Sequence, residues 1–301
     1  MDDMPMTCLR CLSPDEVALL RNETIKSDVI RLAELLGFDP GVMRRIDHAD
    51  EHLDVDRLLG AIDGIFSNQR CDRDVASLVL LTNDPTGMSM LACFLRCAVI
   101  TRQRYMNCHI DDEVYVATMR FFPRFVEGYR MTHKDIRFDQ EFWTPRLIAM
   151  RLFRIDELEF ELLDGERCMI GVHIPSDAVL SATALYTTFL HAHSFLRAHY
   201  PRFADAVWCC DSWMLDPALE SILPDNSHIR FFRSLFNVVG LQYSDDYKRW
   251  IYGRTDIESS AMPMKTSLQR NVRQLVLSGV RMGVGYGEIR NDAIETLKKG
   301  L

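Results

Sequence analysis

The chain has 301 residues, of which 48% are hydrophobic and 26% charged, and a formal net charge of −8. That is enough apolar material for a sizeable core, in one large domain or two of ordinary size. The acidic balance, with no long basic run, argues against a nucleic-acid surface, which needs clustered Lys and Arg. Nine cysteines at irregular spacing do not make a disulfide framework, and several sit in apolar runs such as LACFLRCAVI, where free Cys behaves as a small hydrophobe. MDDMPMTCLR is acidic and lacks an apolar signal core, and no stretch reaches 18 uncharged apolar residues. The expectation is a cytoplasmic protein with no membrane span and no nucleic-acid partner.

Residues 13 to about 150 read as helices. Ser13-Pro14-Asp15-Glu16 is a capping box with Pro at the first helical position. Val29, Ile30, Leu32, Ala33 and Leu36 then form an apolar stripe that Gly37 ends, and Pro40 stops any continuation. VDRLLGAIDGIF and VASLVLLTNDPTGMSMLACFLRCAVITRQRY keep the helical period, with a turn at Asn83-Asp84-Pro85-Thr86-Gly87. EVYVATMRFFPRFVEGYRMT and FDQEFWTPRLIAMRLF follow, broken near Pro123 and Pro145.

Near residue 150 the period changes. LFRIDELEFELLDGERCMIGVHIP alternates apolar and polar residues across a turn at Asp164-Gly165, which predicts two strands. Phe160 and Leu162 would face one way, Glu159 and Glu161 the other. SATALYTTFLHAHSFLRAHY is helical and AVWCCDSWML is a short strand. DPALESIL is a short helix capped by Asp216. IRFFRSLFNVVGLQYS and DYKRWIYGR read as two strands or a helix and a strand. Thr266-Ser267-Leu268-Gln269 opens a helix to about Arg281, and the glycine-rich GVGYG follows it. The fold class expected is mixed α/β (α+β): an all-helical domain over 1–148, then a mixed-sheet domain over 149–301. A strand-helix-strand unit implies a right-handed crossover, with a cleft at the strand ends.

Four segments carry a family resemblance: Leu152-Phe153-Arg154 running into LEFEL, His173-Ile174-Pro175-Ser176-Asp177-Ala178, Cys210-Asp211-Ser212-Trp213-Met214-Leu215-Asp216-Pro217, and Pro263-Met264-Lys265-Thr266. Together they resemble bacterial acyltransferase-domain proteins with a helical N-terminal domain and a GNAT-like C-terminal domain, over roughly residues 15–290. The resemblance implies acyl transfer from an acyl-CoA or acetyl-CoA co-substrate to a small-molecule acceptor, with no metal. It implies pyrophosphate binding by amides about Ser176, Ala178 and Ser181 at a helix start. Catalysis would use Asp211, His173 and Ser212. The alternative is a non-catalytic GNAT-like module that binds a small ligand or a protein partner. The sequence departs from the GNAT pattern over 175–181, which has no glycine and carries Asp177, a carboxylate that repels phosphate.

The same residues have plainer readings. His173 could be a satisfied half-buried histidine, and Ser176 could cap a turn. Asp211 could be a base for an amine, or could belong to a structural network as partner of Arg154, which Glu159 could also satisfy. Cys210 could be a nucleophile with His173 as its base, or packing. Cys8 and Cys11 form a lone pair, and His191, His193 and His199 share a helix without a ligand face. Trp208, Trp213, Trp250 and Phe231-Phe232 read as core.

Overall fold

The computed structural model describes residues 11–67, 72–290 and 293; Cys8 lies outside them. Two compact units divide the chain, Met1–Phe153 and Arg154–Leu301.

Among its described residues the first unit is helical: α1 (Pro14–Arg21), α2 (Ile25–Leu36), α3 (Pro40–Glu51), α4 (Val55–Ser67), α5 (Asp72–Thr82), α6 (Met88–Asn107), α7 (Asp112–Met119), α8 (Phe121–His133) and α9 (Pro145–Ile148). The Ser13–Glu16 capping box forms in both directions, and Gly37 ends α2 at φ 83°. Pro40 does more than stop α2: behind the Asp39 cap it opens α3. The break expected at Pro123 falls instead at Arg120, and Pro123 lies in the first turn of α8, where its missing N–H costs nothing.

Helix α6 is apolar nearly all round and is correspondingly buried, with Leu91, Phe94, Leu95 and Cys97 fully enclosed. Three of its buried polar side chains are tied to other parts of the unit. Arg96 donates to both oxygens of buried Asp50 at 2.5 and 2.7 Å, and to the Leu20 carbonyl at 2.9 Å. Arg104 grips Glu16 through two bonds of 2.7 and 2.9 Å. Thr101 donates to the Ile148 carbonyl. No described helix is long and apolar enough to cross a membrane.

The second half is built on β1 (Leu152–Ile155), β2 (Leu158–Leu163), β3 (Met169–His173), α10 (Ala182–His199), β4 (Val207–Ser212), α11 (His228–Ser234), β5 (Phe236–Tyr243), α12 (Asp246–Tyr252), α13 (Ser267–Leu277) and β6 (Gly283–Ile289). The sheet order is β1-β2-β3-β4-β6-β5. β3 and β4 run parallel, joined through α10, while β2–β3, β4–β6 and β5–β6 are antiparallel.

Three expectations are corrected. The alternating segment after 150 holds three strands, because a second tight turn at Asp156 (φ 48°) divides it. DYKRWIY is helix α12, and DPALES is a 3-10 turn still capped by Asp216. GVGYG, which the sequence reading assigns to no element, is the start of β6, paired on both sides.

The two sheet faces differ. Phe160, Leu162, Ile170, Val172, Trp208 and Cys210 are buried on one face, where Phe160, Phe189 of α10 and Trp208 meet at ring-centroid distances of 5.2 to 6.3 Å. This face supplies the apolar core. A satellite core joins Trp213, Leu219, Tyr247, Tyr252, Met262 and Val272. Trp250, expected in the core, is exposed.

Candidate functional site

The parallel ladder between β3 and β4 is short. Met169, Ile170 and Gly171 pair with Val207, Trp208 and Cys209, and there it stops. β3 nevertheless continues to His173 and β4 to Ser212. Past Gly171 and Cys209 the strands run on without pairing to each other, and that opening lies at the carboxyl ends of parallel strands joined by a crossover helix. Ligands of open α/β sheets bind at this edge.

Register fixes which side chains look across the opening. Glu159 is opposite His173, Glu161 opposite Gly171, Gly171 opposite Cys209, Cys209 opposite Glu288 and Asp211 opposite Tyr286. Strand partners share a face, so these residues form one polar face, turned away from the apolar core. His173 Nε2 bonds Glu161 Oε2 at 2.8 Å, diagonally across the ladder. Gly171 makes that reach possible: a Cβ there would lie 3.3 Å from His173 Nε2 and 3.5 Å from the Glu161 Cβ.

Asp211 is exposed, with no hydrogen bond or ion pair to the described residues. Burial nonetheless raises its carboxyl above the usual range; positive charge on His173 pulls it back, and Asp246 adds to the rise. Beside it, burial pushes the Tyr286 phenol up to about 12, and the Cys209 thiol and Glu288 reinforce the shift, so Tyr286 keeps its proton at neutral pH. Glu288 is also ion-paired with Arg167.

The remaining candidates fall in other places. Ser212 lies on the opposite face from Asp211, and its Oγ accepts from the Met214 amide at 3.1 Å. Cys210 is fully buried and its thiol is held well above the ordinary value, chiefly by desolvation; it packs the core and cannot supply a thiolate. Arg154 does not fasten Asp211. It donates to Asp177 at 2.8 and 3.0 Å, because the β1–β2 hairpin lies beside the loop after β3. Asp177 is thus half-neutralised where the sequence alone suggests bare repulsion.

In that loop Ser176 is exposed, the Ala178 amide donates to the Pro175 carbonyl, and Ser181 Oγ caps α10 by accepting from Ala184 N. The Val179 amide donates to Glu157 Oε2 at 2.8 Å. His191 bonds Asp156 at 2.8 Å.

Sequence reasoning missed Glu161, Tyr286 and Glu157. For the first two the signal was strand alternation, which already put Glu161 on the polar side; for Glu157 there was none. It also passed over His48, Glu51 and His52 on α3, whose ligand atoms lie within 4.8 Å of one another, although Glu51 is already held by Lys26.

Comparison with known proteins bears on the family and the fold. The family model for a GNAT-like C-terminal domain matches residues 124–289, and that for an N-acyltransferase N-terminal domain matches residues 17–150. No curated protein matches the chain. A crystal structure of an acyltransferase in complex with decanoyl-CoA is similar at 19% identity, covering 91% of this chain and 98% of that one with a TM-score of 0.71. A second, with decanoyl-CoA and teicoplanin, shares 20% identity over 93% of this chain and 100% of that one, TM-score 0.73. A third, with octanoyl-CoA, shares 19% identity over 95% and 91%, TM-score 0.70. At these identities the likeness is one of fold.

Proposed function

The chain belongs to the acyltransferase family that joins an N-acyltransferase N-terminal domain to a GNAT-like C-terminal domain, and we propose that it transfers an acyl group from a coenzyme A thioester to an amine. The observation that carries this reading is the opening between β3 and β4, with the His173–Glu161 pair and Asp211 on its polar face. Binding of acyl-CoA by its structural neighbours supports it.

In this reading the pantetheine arm lies in the opening, and backbone groups released from the ladder receive the thioester carbonyl. The loop bearing Ser176, Ala178 and Ser181 faces the pyrophosphate. The acceptor nitrogen attacks the carbonyl carbon, its proton passes to His173, and the carbon–sulfur bond breaks. Glu161 fixes the ring and offsets the imidazolium charge. Asp211 draws in the acceptor ammonium, which releases one proton to solvent before the free amine attacks, and Tyr286, still protonated, gives its proton to the leaving thiolate and regains one from solvent. Ser212 serves the turn that follows β4. In this reading the acceptor is a small molecule. Seven described cysteines are free, which supports a reducing, cytoplasmic setting.

Calorimetry and thermal shift with CoA, acetyl-CoA and decanoyl-CoA test the reading, since a ligand that binds only the native state raises its stability. A rise in melting temperature with a CoA thioester is expected. No binding at millimolar concentration by any of the three overturns it.

A further inference from the structure

The hairpin turn between β1 and β2 is fastened to its surroundings by both arms. Asp156 Oδ2 bonds His191 on α10, the Asp156 carbonyl accepts from Arg154 Nε at 3.0 Å, and Arg154 also holds Asp177. Three carboxylates therefore surround the loop between β3 and α10. Asp156 is paired with a histidine and Asp177 with an arginine. Glu157 has neither: its bond is to the Val179 main-chain amide, at 2.8 Å. A carboxylate oxygen on a loop amide just ahead of a helix is an anion occupying an anion's position.

We propose that Glu157 is an internal competitor for the pyrophosphate of the coenzyme, and so sets the affinity for the CoA arm. The inference rests on the acyl-CoA reading above. In that reading the Val179 amide belongs to the group facing the pyrophosphate, and the diphosphate must displace the Glu157 carboxylate to reach it. Displacement takes only a side-chain rotation, because Glu157 is half-exposed and the turn is pinned by its neighbours. The cost is the lost bond together with repulsion between the displaced carboxylate and the incoming diphosphate. The acid takes over the task that glycine performs elsewhere, with opposite sign: glycine opens a loop amide to phosphate, whereas Glu157 closes one until a ligand outbids it.

Titration calorimetry on the full chain, comparing wild type with Glu157→Gln and Glu157→Ala, tests this. The probes are CoA and S-acetylpantetheine, which lacks the pyrophosphate. Glu157→Ala is expected to bind CoA about tenfold more tightly, the worth of a charge-assisted hydrogen bond that no longer has to be broken, and Glu157→Gln, whose amide oxygen still accepts from Val179 but carries no charge, by less, with the affinity for S-acetylpantetheine unchanged in both. Unchanged or weaker CoA binding in both variants overturns the role of Glu157 and leaves the acyl-CoA reading standing. Equal tightening for both probes also overturns it, because the carboxylate would then be obstructing the arm. If CoA binds none of the three proteins, the acyl-CoA reading fails and this inference with it.

Discussion

Asp50→Ala should be among the most damaging single changes in the helical unit. The Asp50 side chain is fully enclosed and that of Arg96 nearly so. Two of the three guanidinium bonds go to Asp50, and the third goes to the Leu20 carbonyl, which the end of α1 leaves without a helical partner. Removing the carboxylate leaves a buried cation with one neutral acceptor. Breaking a buried pair from one side costs about 3–5 kcal/mol. For a unit of this size that corresponds to a fall of roughly 6–20 °C in melting temperature. The loss is followed by circular dichroism at 222 nm during heating. The double variant Asp50→Leu/Arg96→Met separates a bare charge from lost packing: with both charges gone, stability should return to near that of wild type. A single variant that loses less than about 1 kcal/mol, or a double variant no better than the single, would refute the argument that desolvation dominates here.

His173→Ala should lower kcat by about a hundredfold or more, the usual worth of a general base, with CoA affinity retained. Glu161→Gln should lower it by about tenfold or more, the share of a charge-assisted bond; initial-rate measurements of thiol release check both, and a fully active His173→Ala removes the base assignment. Asp211→Asn tests the raised carboxyl. A folded-state value above the unfolded one means that the charged form costs stability, so the penalty is absent at low pH and appears as pH rises through the folded value. The Asn variant should therefore melt higher than wild type at neutral pH, with the gain shrinking toward pH 3.8; a variant destabilised at pH 7 contradicts this. Gly285→Ala should cost about 1–3 kcal/mol in urea denaturation, because its Cβ would stand 2.7 Å from the Leu215 carbonyl oxygen; a cost near zero would show that the turn at 213–215 can retreat.

Local chemistry made much of the architecture legible. The capping boxes at Ser13 and Thr266, the stop at Gly37 and the change of period at 150 depend on neighbours a few residues apart, and each appears in the structure. The crossover from β3 through α10 to β4 followed from strand-helix-strand order. It brought His173 and Asp211 to one face, which register confirms. The parts that escaped depend on distant packing. GVGYG carries little strand signal because glycine disfavours strands, yet it is held between β4 and β5 by partners forty or more residues away in sequence. Arg154 does not reach Asp211 but holds Asp177, an acid that only the hairpin's placement reveals as its partner. Trp250 was read as core from its ring alone, but its face of α12 is turned to solvent.

The alternation of glycine along β6 separates two jobs within one strand. Gly283, Gly285 and Gly287 are buried; a Cβ would stand 2.3 Å from the Gln242 carbonyl oxygen at the first and 2.7 Å from that of Leu215 at the second, and would crowd its neighbours at 3.1 Å at the third. Val284, Tyr286 and Glu288 lie between them, only partly covered, on the face shared with Asp211. The first set works as a chassis, and in the second Tyr286 keeps its catalytic place while Val284 and Glu288 are open to exchange. A library confined to positions 284 and 288 could explore new acceptors while the strand stays locked in register and the sheet keeps its stability.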